Sequence, residues 1–226
     1  MMMKSAFLAL LLVLSLPALA EEKAATPKVD VTAAMADRVL GNPDAPVTIY
    51  EYASMTCSHC AAFHKYGLPT IKKELIETGK AKLIFRDFPL DNYAMKAAAM
   101  ARCAPADKFY PLISMIFGEQ ERWVKTAAPD EAVQKFGALA GMDPEYIKAC
   151  MTDPDLQKAM MASMQDGQKT YAIDSTPSFI FKKGDERMME WDDFTEALKK
   201  AEAAAKENAE KNGKTGDSGH DDHAHD

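Results

Sequence analysis

Four cysteines carry the reactive chemistry of this sequence: Cys57, Cys60, Cys103 and Cys150. The first two form a Cys-x-x-Cys motif, and two thiols at this spacing can close a disulfide and exchange it with the thiols of another molecule. In such an exchange one thiolate attacks and the other thiol resolves the mixed disulfide. The motif therefore predicts a redox-active pair, with Cys57 as the exposed nucleophile and Cys60 as the resolving partner.

The segments on either side of the motif predict where its thiols lie. Residues Val47–Tyr52 are β-branched and aromatic, which is typical of a buried strand. Residues 61–77 predict a helix with a bend near Gly67 and Pro69. Free N–H groups and the helix dipole stabilise an anion at a helix N-terminus, so we expect a lowered pKa for Cys57. His59 is predicted to donate a hydrogen bond to the Cys57 thiolate, and a solvated loop side chain is the alternative.

Metal binding is the main chemical alternative for the motif. A Cys-x-x-Cys motif can supply half of the ligands of a zinc site, but the other half requires a second ligand pair at suitable spacing. Cys103 and Cys150 are too far apart in the sequence to form such a pair. His64 follows Cys60 by four residues and could join a soft-metal site together with some of the 15 Met residues. Packed or solvated side chains of these types are more common, so we predict neither a metal nor a cofactor.

Cys103 and Cys150 are predicted to form a second, structural disulfide. Four cysteines allow three pairings, and the most economical one leaves these two together. The bridge would close a loop of about 48 residues and contribute about 4 kcal/mol in the chain-entropy model. A second redox relay and a pair of free thiols stay open as alternatives.

Residues 1–20 have the pattern of a secretory signal peptide. Lys4 precedes a short apolar run, and Ala18 and Ala20 are the small residues before a predicted cleavage site after Ala20. An uncleaved anchor is the alternative, but the apolar run Ala6–Leu16 is shorter than the roughly 20 residues that span a bilayer. We therefore predict export to a compartment in which disulfides persist.

The charge of the chain is acidic, and its two ends are polar. The 226 residues include 27 Lys+Arg and 34 Asp+Glu without a basic patch, which argues against a nucleic-acid partner. Residues 21–40 are Ala-rich and polar and are predicted to be an exposed lead-in. Residues 208–226 are rich in His, Asp and Gly, and a segment of this composition is expected to be disordered.

The middle of the chain, residues 91–170, is predicted to hold four or five helices and no strand. Composition and apolar spacing favour helices at about 94–104 and 108–117. Three further helix starts combine Asp with Pro, at Pro129-Asp130, Asp143-Pro144 and Asp153-Pro154.

Strand patterns occur on both sides of this helical run. Residues 41–90 read as strand, helix and strand, with the second strand at Ala81–Phe88, which predicts a βαβ unit. Residues 171–207 are predicted to hold a strand at Ser178–Phe181, its hairpin partner at Arg187–Trp191 and a helix at 193–207. The prediction is therefore an α/β chain with an inserted all-helical domain.

Three segments resemble DsbA-like thiol–disulfide oxidoreductases of the thioredoxin superfamily. They are the active-site segment EYASMTCSHC at Glu51–Cys60, FRDFPL at Phe85–Leu90 and STPSF at Ser175–Phe179. Their order matches that of the family, and the resemblance extends over about residues 41–198. It implies a thioredoxin-like fold interrupted by a helical domain. Ser58 departs from the pattern, because the best-known members have proline there, and the redox potential is the property that this change affects.

The resemblance also implies roles for residues outside the motif. Thr176 and Pro177 would face the Cys57–Cys60 disulfide, with Pro177 in a cis peptide bond and its loop binding substrate; an ordinary strand-start proline is the alternative. Similar proteins bury an acid beneath the second cysteine, at the place of Glu51. A buried Glu51 would be a candidate proton relay for Cys60, whereas an exposed strand carboxylate would not.

Together these features predict an exported thiol–disulfide oxidoreductase that introduces disulfide bonds into secreted proteins. The expected partners are reduced, unfolded exported polypeptides. The resemblance further implies a periplasmic location and reoxidation by a DsbB-like membrane quinone reductase, and we expect a monomer. The alternatives are a disulfide isomerase or reductase of the same fold, and a copper-binding or metal-delivery protein.

Overall fold

The computed structural model describes residues 27–183 and 186–187. These residues contain a five-stranded sheet with the strand order β1-β3-β2-β4-β5. Its strands are Val39–Leu40 (β1), Val47–Ala53 (β2), Ala81–Asp87 (β3), Ser178–Lys183 (β4) and Glu186–Arg187 (β5). The central strand β2 runs parallel to β3 and antiparallel to β4, and β4 and β5 form a hairpin. The βαβ unit and the hairpin at β4 were both predicted from the residue patterns of the sequence.

One long helix, α2, crosses over between β2 and β3 and extends over residues 58–76. It alternates α-helical segments with π-helical turns, in the order Ser58–Ala62 (α), Phe63–Gly67 (π), Leu68–Ile71 (α) and Lys72–Ile76 (π). The first π turn closes where the Leu68 N–H donates to the Phe63 carbonyl. It lies directly before Pro69, which has no N–H to continue the regular ladder. The helix begins at Ser58, three residues before the predicted start, so most of the motif lies inside it.

Six α-helices separate β3 from β4, and no strand lies among them in the part of the chain that the structure describes. They are Asn92–Cys103 (α3), Phe109–Gly118 (α4), Gln120–Val124 (α5), Pro129–Leu139 (α6), Pro144–Thr152 (α7) and Pro154–Tyr171 (α8). The predicted caps at Asp143 and Asp153 are confirmed, because both side chains accept backbone N–H bonds from the first turns of α7 and α8. The short α5 has no signature in the sequence and was not predicted.

In its described part, residues 27–40, the predicted exposed lead-in contains secondary structure, and half of its residues are exposed. Asp30 caps a short helix, α1 at Val31–Met35, and Val29 and Ala34 are buried in the main core. The strand β1 pairs antiparallel with β3. These residues are ordered by apolar contacts and strand pairing that the polar composition of the segment did not indicate.

Several predicted segments lie outside the described residues. They are the signal peptide at 1–20, the start of the lead-in at 21–26, the end of the hairpin partner at 188–191, the helix at 193–207 and the tail at 208–226. Within residues 27–183 and 186–187, no helix is long and apolar enough to cross a membrane.

A buried ion pair joins the helical region to the sheet, and a disulfide joins two helices within that region. The Arg102 Nε donates to Asp87 Oδ2 at 2.6 Å and its Nη2 to the Phe85 carbonyl at 2.9 Å, which joins α3 to β3. Cys103 and Cys150 form a disulfide between α3 and α7. Breaking one partner of a buried ion pair is costly, so the carboxyl end of β3 is held firmly beside the motif.

Candidate active site

Cys57 stands between the end of β2 and the start of α2. The turn after β2 closes where the Cys57 N–H donates to the Ser54 carbonyl at 3.1 Å. The Cys57 sulfur then occupies the N-cap position of α2 and accepts the Cys60 N–H at 3.4 Å. Unpaired N–H groups at a helix start favour an anion, so this sulfur is placed to ionise.

The nucleophile is less exposed than the sequence predicted. Cys57 is only 8% exposed, because the loop before β4 lies across it. The Thr176–Pro177 peptide bond of this loop is cis, and the Thr176 carbonyl accepts a hydrogen bond from the Cys57 thiol at 3.3 Å. The nucleophilic residue is therefore largely covered by this loop.

The pKa of Cys57 is lowered from 9.0 to about 5. The largest cause is the hydrogen bond with the Cys60 side chain, followed by bonds from the Thr176 side chain and from the backbone N–H groups of Cys60 and His59; burial opposes them. Thr176 Oγ1 is buried and has no other partner within the described residues, so it can donate to the thiolate. Cys57 is therefore a thiolate at neutral pH in the reduced protein.

Cys60 has the opposite electrostatic environment. It is fully buried, and burial is the main reason that its pKa is raised. The hydrogen bond to the Cys57 sulfur and the negative charges of Cys57 and Glu51 raise it further, against a smaller contribution from the Ser54 backbone. The two thiols are thus strongly asymmetric, with an anion at the first position and a neutral thiol at the second.

The structure does not place the His59 side chain where it was predicted. The residue is exposed, and within residues 27–183 its imidazole makes no hydrogen bond to Cys57. Its backbone N–H lowers the pKa of Cys57 instead. The first turn of a helix directs its side chains outward while its N–H groups point to the cap, which explains the difference.

Glu51 is completely buried on β2 and makes a buried pair with His64. The His64 Nε2 and Glu51 Oε1 atoms are 2.8 Å apart, and their side chains are 2% and 0% exposed. The His64 ring stacks on Phe117, with ring centroids 4.1 Å apart. The sequence left the burial of Glu51 open and did not pair it with His64, although the spacing of four residues from Cys60 indicated a shared helix face.

Gln120 is a second residue that the sequence did not reveal. Its side-chain Nε2 donates to the carbonyls of Met55 and Cys57, both at 2.9 Å. The amide therefore ties α5 of the helical region to the turn that presents the nucleophile. A lone glutamine in a five-residue helix carries no pattern from which this contact could have been predicted.

The described part of the chain contains no candidate metal site. No group of three His, Cys, Asp or Glu side chains in residues 27–183 and 186–187 is arranged to hold a metal ion.

Known proteins match both the sequence and the fold. The thioredoxin family model matches residues 33–200. A Rickettsia conorii protein named as a protein-disulfide oxidoreductase is 31% identical over 174 residues, 76% of this chain and 63% of that protein. Disulfide bond formation protein D of Bacillus subtilis is 23% identical over 171 residues, 72% of this chain and 75% of that protein. This chain thus spans about three-fifths of the length of the Rickettsia conorii relative.

Among solved structures, Wolbachia pipientis alpha-DsbA1 superposes with a TM-score of 0.64. It is 28% identical and covers 76% of this chain and 94% of its own. The predicted thioredoxin-like fold with a helical insertion is confirmed by this match and by the family model. The chain therefore belongs to the thioredoxin family, as a DsbA-like member.

Proposed function

We propose that this protein is an exported thiol–disulfide oxidoreductase that introduces disulfide bonds into other exported proteins. The observation that carries the proposal is the asymmetry of the two sulfurs. The pKa of Cys57 is lowered to about 5, whereas burial raises the pKa of Cys60. An attacking or leaving sulfur is needed at the first position and a protonated one at the second, and these two environments supply that division.

The same asymmetry favours oxidation of substrates over their reduction. Every interaction that stabilises the Cys57 thiolate stabilises the reduced protein relative to its disulfide. The reduced form is therefore the preferred state, and the Cys57–Cys60 disulfide readily accepts two electrons from a substrate dithiol. The hydrogen bonds from Thr176 and from the N–H groups at the start of α2 have this effect.

The reaction balances as a two-step exchange. A substrate thiolate attacks Cys57 Sγ, which forms a mixed disulfide and breaks the Cys57–Cys60 bond, and Cys60 takes up a proton. A second substrate thiolate then attacks the substrate sulfur of the mixed disulfide, and Cys57 leaves as a stable thiolate. The substrate gains one disulfide and loses two electrons. The Cys57–Cys60 pair gains these electrons and is left reduced, with a thiolate at Cys57 and a thiol at Cys60.

The binding partners belong to the same proposal. Reduced, unfolded polypeptides bind as extended segments along the cis-proline loop at Thr176 and Pro177, whose backbone lies over Cys57. A DsbB-like membrane quinone reductase reoxidises the dithiol, and this part rests on the family resemblance alone. A periplasmic location rests on the same resemblance and on the signal-peptide pattern, and we propose a monomer.

Equilibration of the Cys57–Cys60 pair with glutathione buffers tests the function. We expect the protein to stay reduced in buffers that keep ordinary structural disulfides oxidised, and to oxidise a reduced, unfolded client protein stoichiometrically. Cys57→Ser should abolish both the exchange with glutathione and the oxidation of the client protein. If the equilibrium with glutathione instead shows a reducing Cys57–Cys60 pair, the result would favour a thioredoxin-like reductase. Repair of scrambled disulfides would favour an isomerase. Cu(I) binding without oxidation of dithiols would favour a metal-delivery protein.

A further inference from the structure

A cleft opens beside the nucleophile, between α2 and the helical region. Its volume is about 520 Å³, and its wall includes Thr56 and Ser58, the residues directly before and after Cys57. Each residue of an extended chain spans about 3.3 Å. A polypeptide bonded to the Cys57 sulfur therefore has this cleft within reach of the side chains close to its own cysteine.

Small residues on both walls leave the cleft open. The wall on α2 includes Ser58, Ala61 and Ala62, and the opposite wall includes Gly118 at the end of α4. A Cβ atom added at Gly118 would meet no other atom within 4 Å. Protein interiors are closely packed, so a recess of this size between neighbouring elements needs contacts that hold its walls in place.

Two buried side chains of the helical region hold these walls. The Gln120 amide donates to the carbonyls of Met55 and Cys57, both at 2.9 Å. The Phe117 ring is 2% exposed and stacks on the His64 ring of α2, with centroids 4.1 Å apart. Both Gln120 and Phe117 also line the cleft, so the recess is already formed in the unbound protein, as is usual for a binding site.

The lining of the cleft is mainly apolar, with cationic side chains beside the apolar surface. Phe117, Val124 and the α2 alanines provide the apolar surface. Of the two lining lysines, Lys125 pairs with Glu121, whereas Lys65 makes no ion pair within the described residues. This lining is complementary to an apolar side chain and tolerates a carboxylate near it.

We propose that this cleft is a substrate subsite, which binds an apolar side chain close to the reacting cysteine of a reduced, unfolded polypeptide. The inference rests on the proposed function and deepens it, because it names a feature of the substrate sequence that the protein selects. The cleft is separate from the cis-proline loop. The Cys57 sulfur contacts the Thr176 carbonyl, whereas the Cys57 carbonyl contacts Gln120 of the cleft wall.

The chemistry of the occupant follows from what an unfolded chain exposes. Before folding, a polypeptide presents to solvent the apolar side chains that its native core later buries. Glutathione and dithiothreitol carry no such side chain. The cleft therefore favours unfolded polypeptides over small thiols by the free energy of burying one apolar side chain.

The test measures how fast short single-cysteine peptides reduce the oxidised protein. The peptides are identical except for one residue directly before or after the cysteine, which is either Leu or Ser. Each rate is divided by the rate of the same peptide with cystine, which removes differences in the reactivity of the thiols themselves. At one of the two positions we expect the Leu peptide to react about tenfold faster with wild type than the Ser peptide, the size expected for partial burial of one such side chain.

Variants that fill the cleft separate binding from a structural effect. Ala62→Leu and Gly118→Leu fill it from opposite walls, and each should bring the ratio of the Leu rate to the Ser rate close to one. A structural disturbance of Cys57 would slow both peptides and leave their ratio unchanged. The matched control is Ala138→Leu, which adds the same side chain at an exposed position of α6 outside the cleft and should keep the wild-type ratio.

Three outcomes would overturn the inference. The first is equal normalised rates of the Leu and Ser peptides with wild type at both positions. The second is a wild-type ratio that persists in both filled variants. The third is a wild-type dimer in sedimentation that Ala62→Leu dissociates, because the cleft would then hold a second copy of the chain. If wild type itself fails to exchange its disulfide with glutathione, the proposed function fails first, so the two failures are distinguishable.

Discussion

The lowered pKa of Cys57 makes the stability of the reduced protein depend on pH in a predictable direction. Its thiol has a pKa of about 5 in the folded protein against an ordinary value of 9.0. Between these values the folded state holds a thiolate and the unfolded state a thiol, so unfolding takes up one proton. The free energy of unfolding must then rise with pH, by about 1.4 kcal/mol per pH unit inside this window.

Between pH 6 and pH 8 the expected gain is about 2.7 kcal/mol, because both values lie well inside the window. The contribution is complete above pH 9 and is lost as the pH falls through about 5. A disulfide does not titrate, so the oxidised protein lacks this contribution. The reduced form should therefore gain stability over the oxidised form as the pH rises, which is the thermodynamic basis of an oxidising disulfide.

Urea denaturation under reducing conditions at pH 6, 7 and 8 measures the effect. The comparison is wild type against Cys57→Ser, because the other titrating groups are common to both and their contributions cancel in the difference. We expect the difference between the two free energies of unfolding to grow with pH along the stated slope. Parallel pH profiles for the two proteins would refute the assignment of a thiolate to this position.

Three further predictions concern contacts around the site. Thr176→Val removes a hydrogen-bond donor to the Cys57 thiolate and should raise the pKa of Cys57 by about one unit. A pH titration of the thiolate absorbance measures this shift, and an unchanged midpoint would contradict the role of Thr176. Gln120→Ala leaves the Met55 and Cys57 carbonyls without their donor, so it should lower the free energy of unfolding in urea by about 2 kcal/mol and slow disulfide exchange. The control Gln157→Ala loses a hydrogen bond inside the helical region and should leave the exchange rate unchanged. Replacing Cys103 and Cys150 with Ala should lower the free energy of unfolding by about 4 kcal/mol. The equilibrium constant of the Cys57–Cys60 pair with glutathione should stay unchanged, and a shifted constant would indicate that the second disulfide is a redox relay.

The sequence by itself determined the features that depend on short segments. The strand Val47–Ala53, the position of Cys57 at the start of α2 and the caps of α7 and α8 follow from local propensities and cap chemistry. The order strand, helix, strand, helical run and strand also follows from such patterns. These features were predictable because each is decided within about 20 residues of chain by interactions between near neighbours.

Only the tertiary structure decided which side chains surround the two thiols. Thr176 is 119 residues from Cys57, Gln120 is 63 residues away, and Glu51 and His64 meet across 13 residues on different elements. No local pattern specifies these contacts, because each depends on how distant elements pack against one another. Burial is decided in the same way: the loop before β4 covers Cys57, and the Phe117 ring of the helical region stacks on His64, the partner of the buried Glu51.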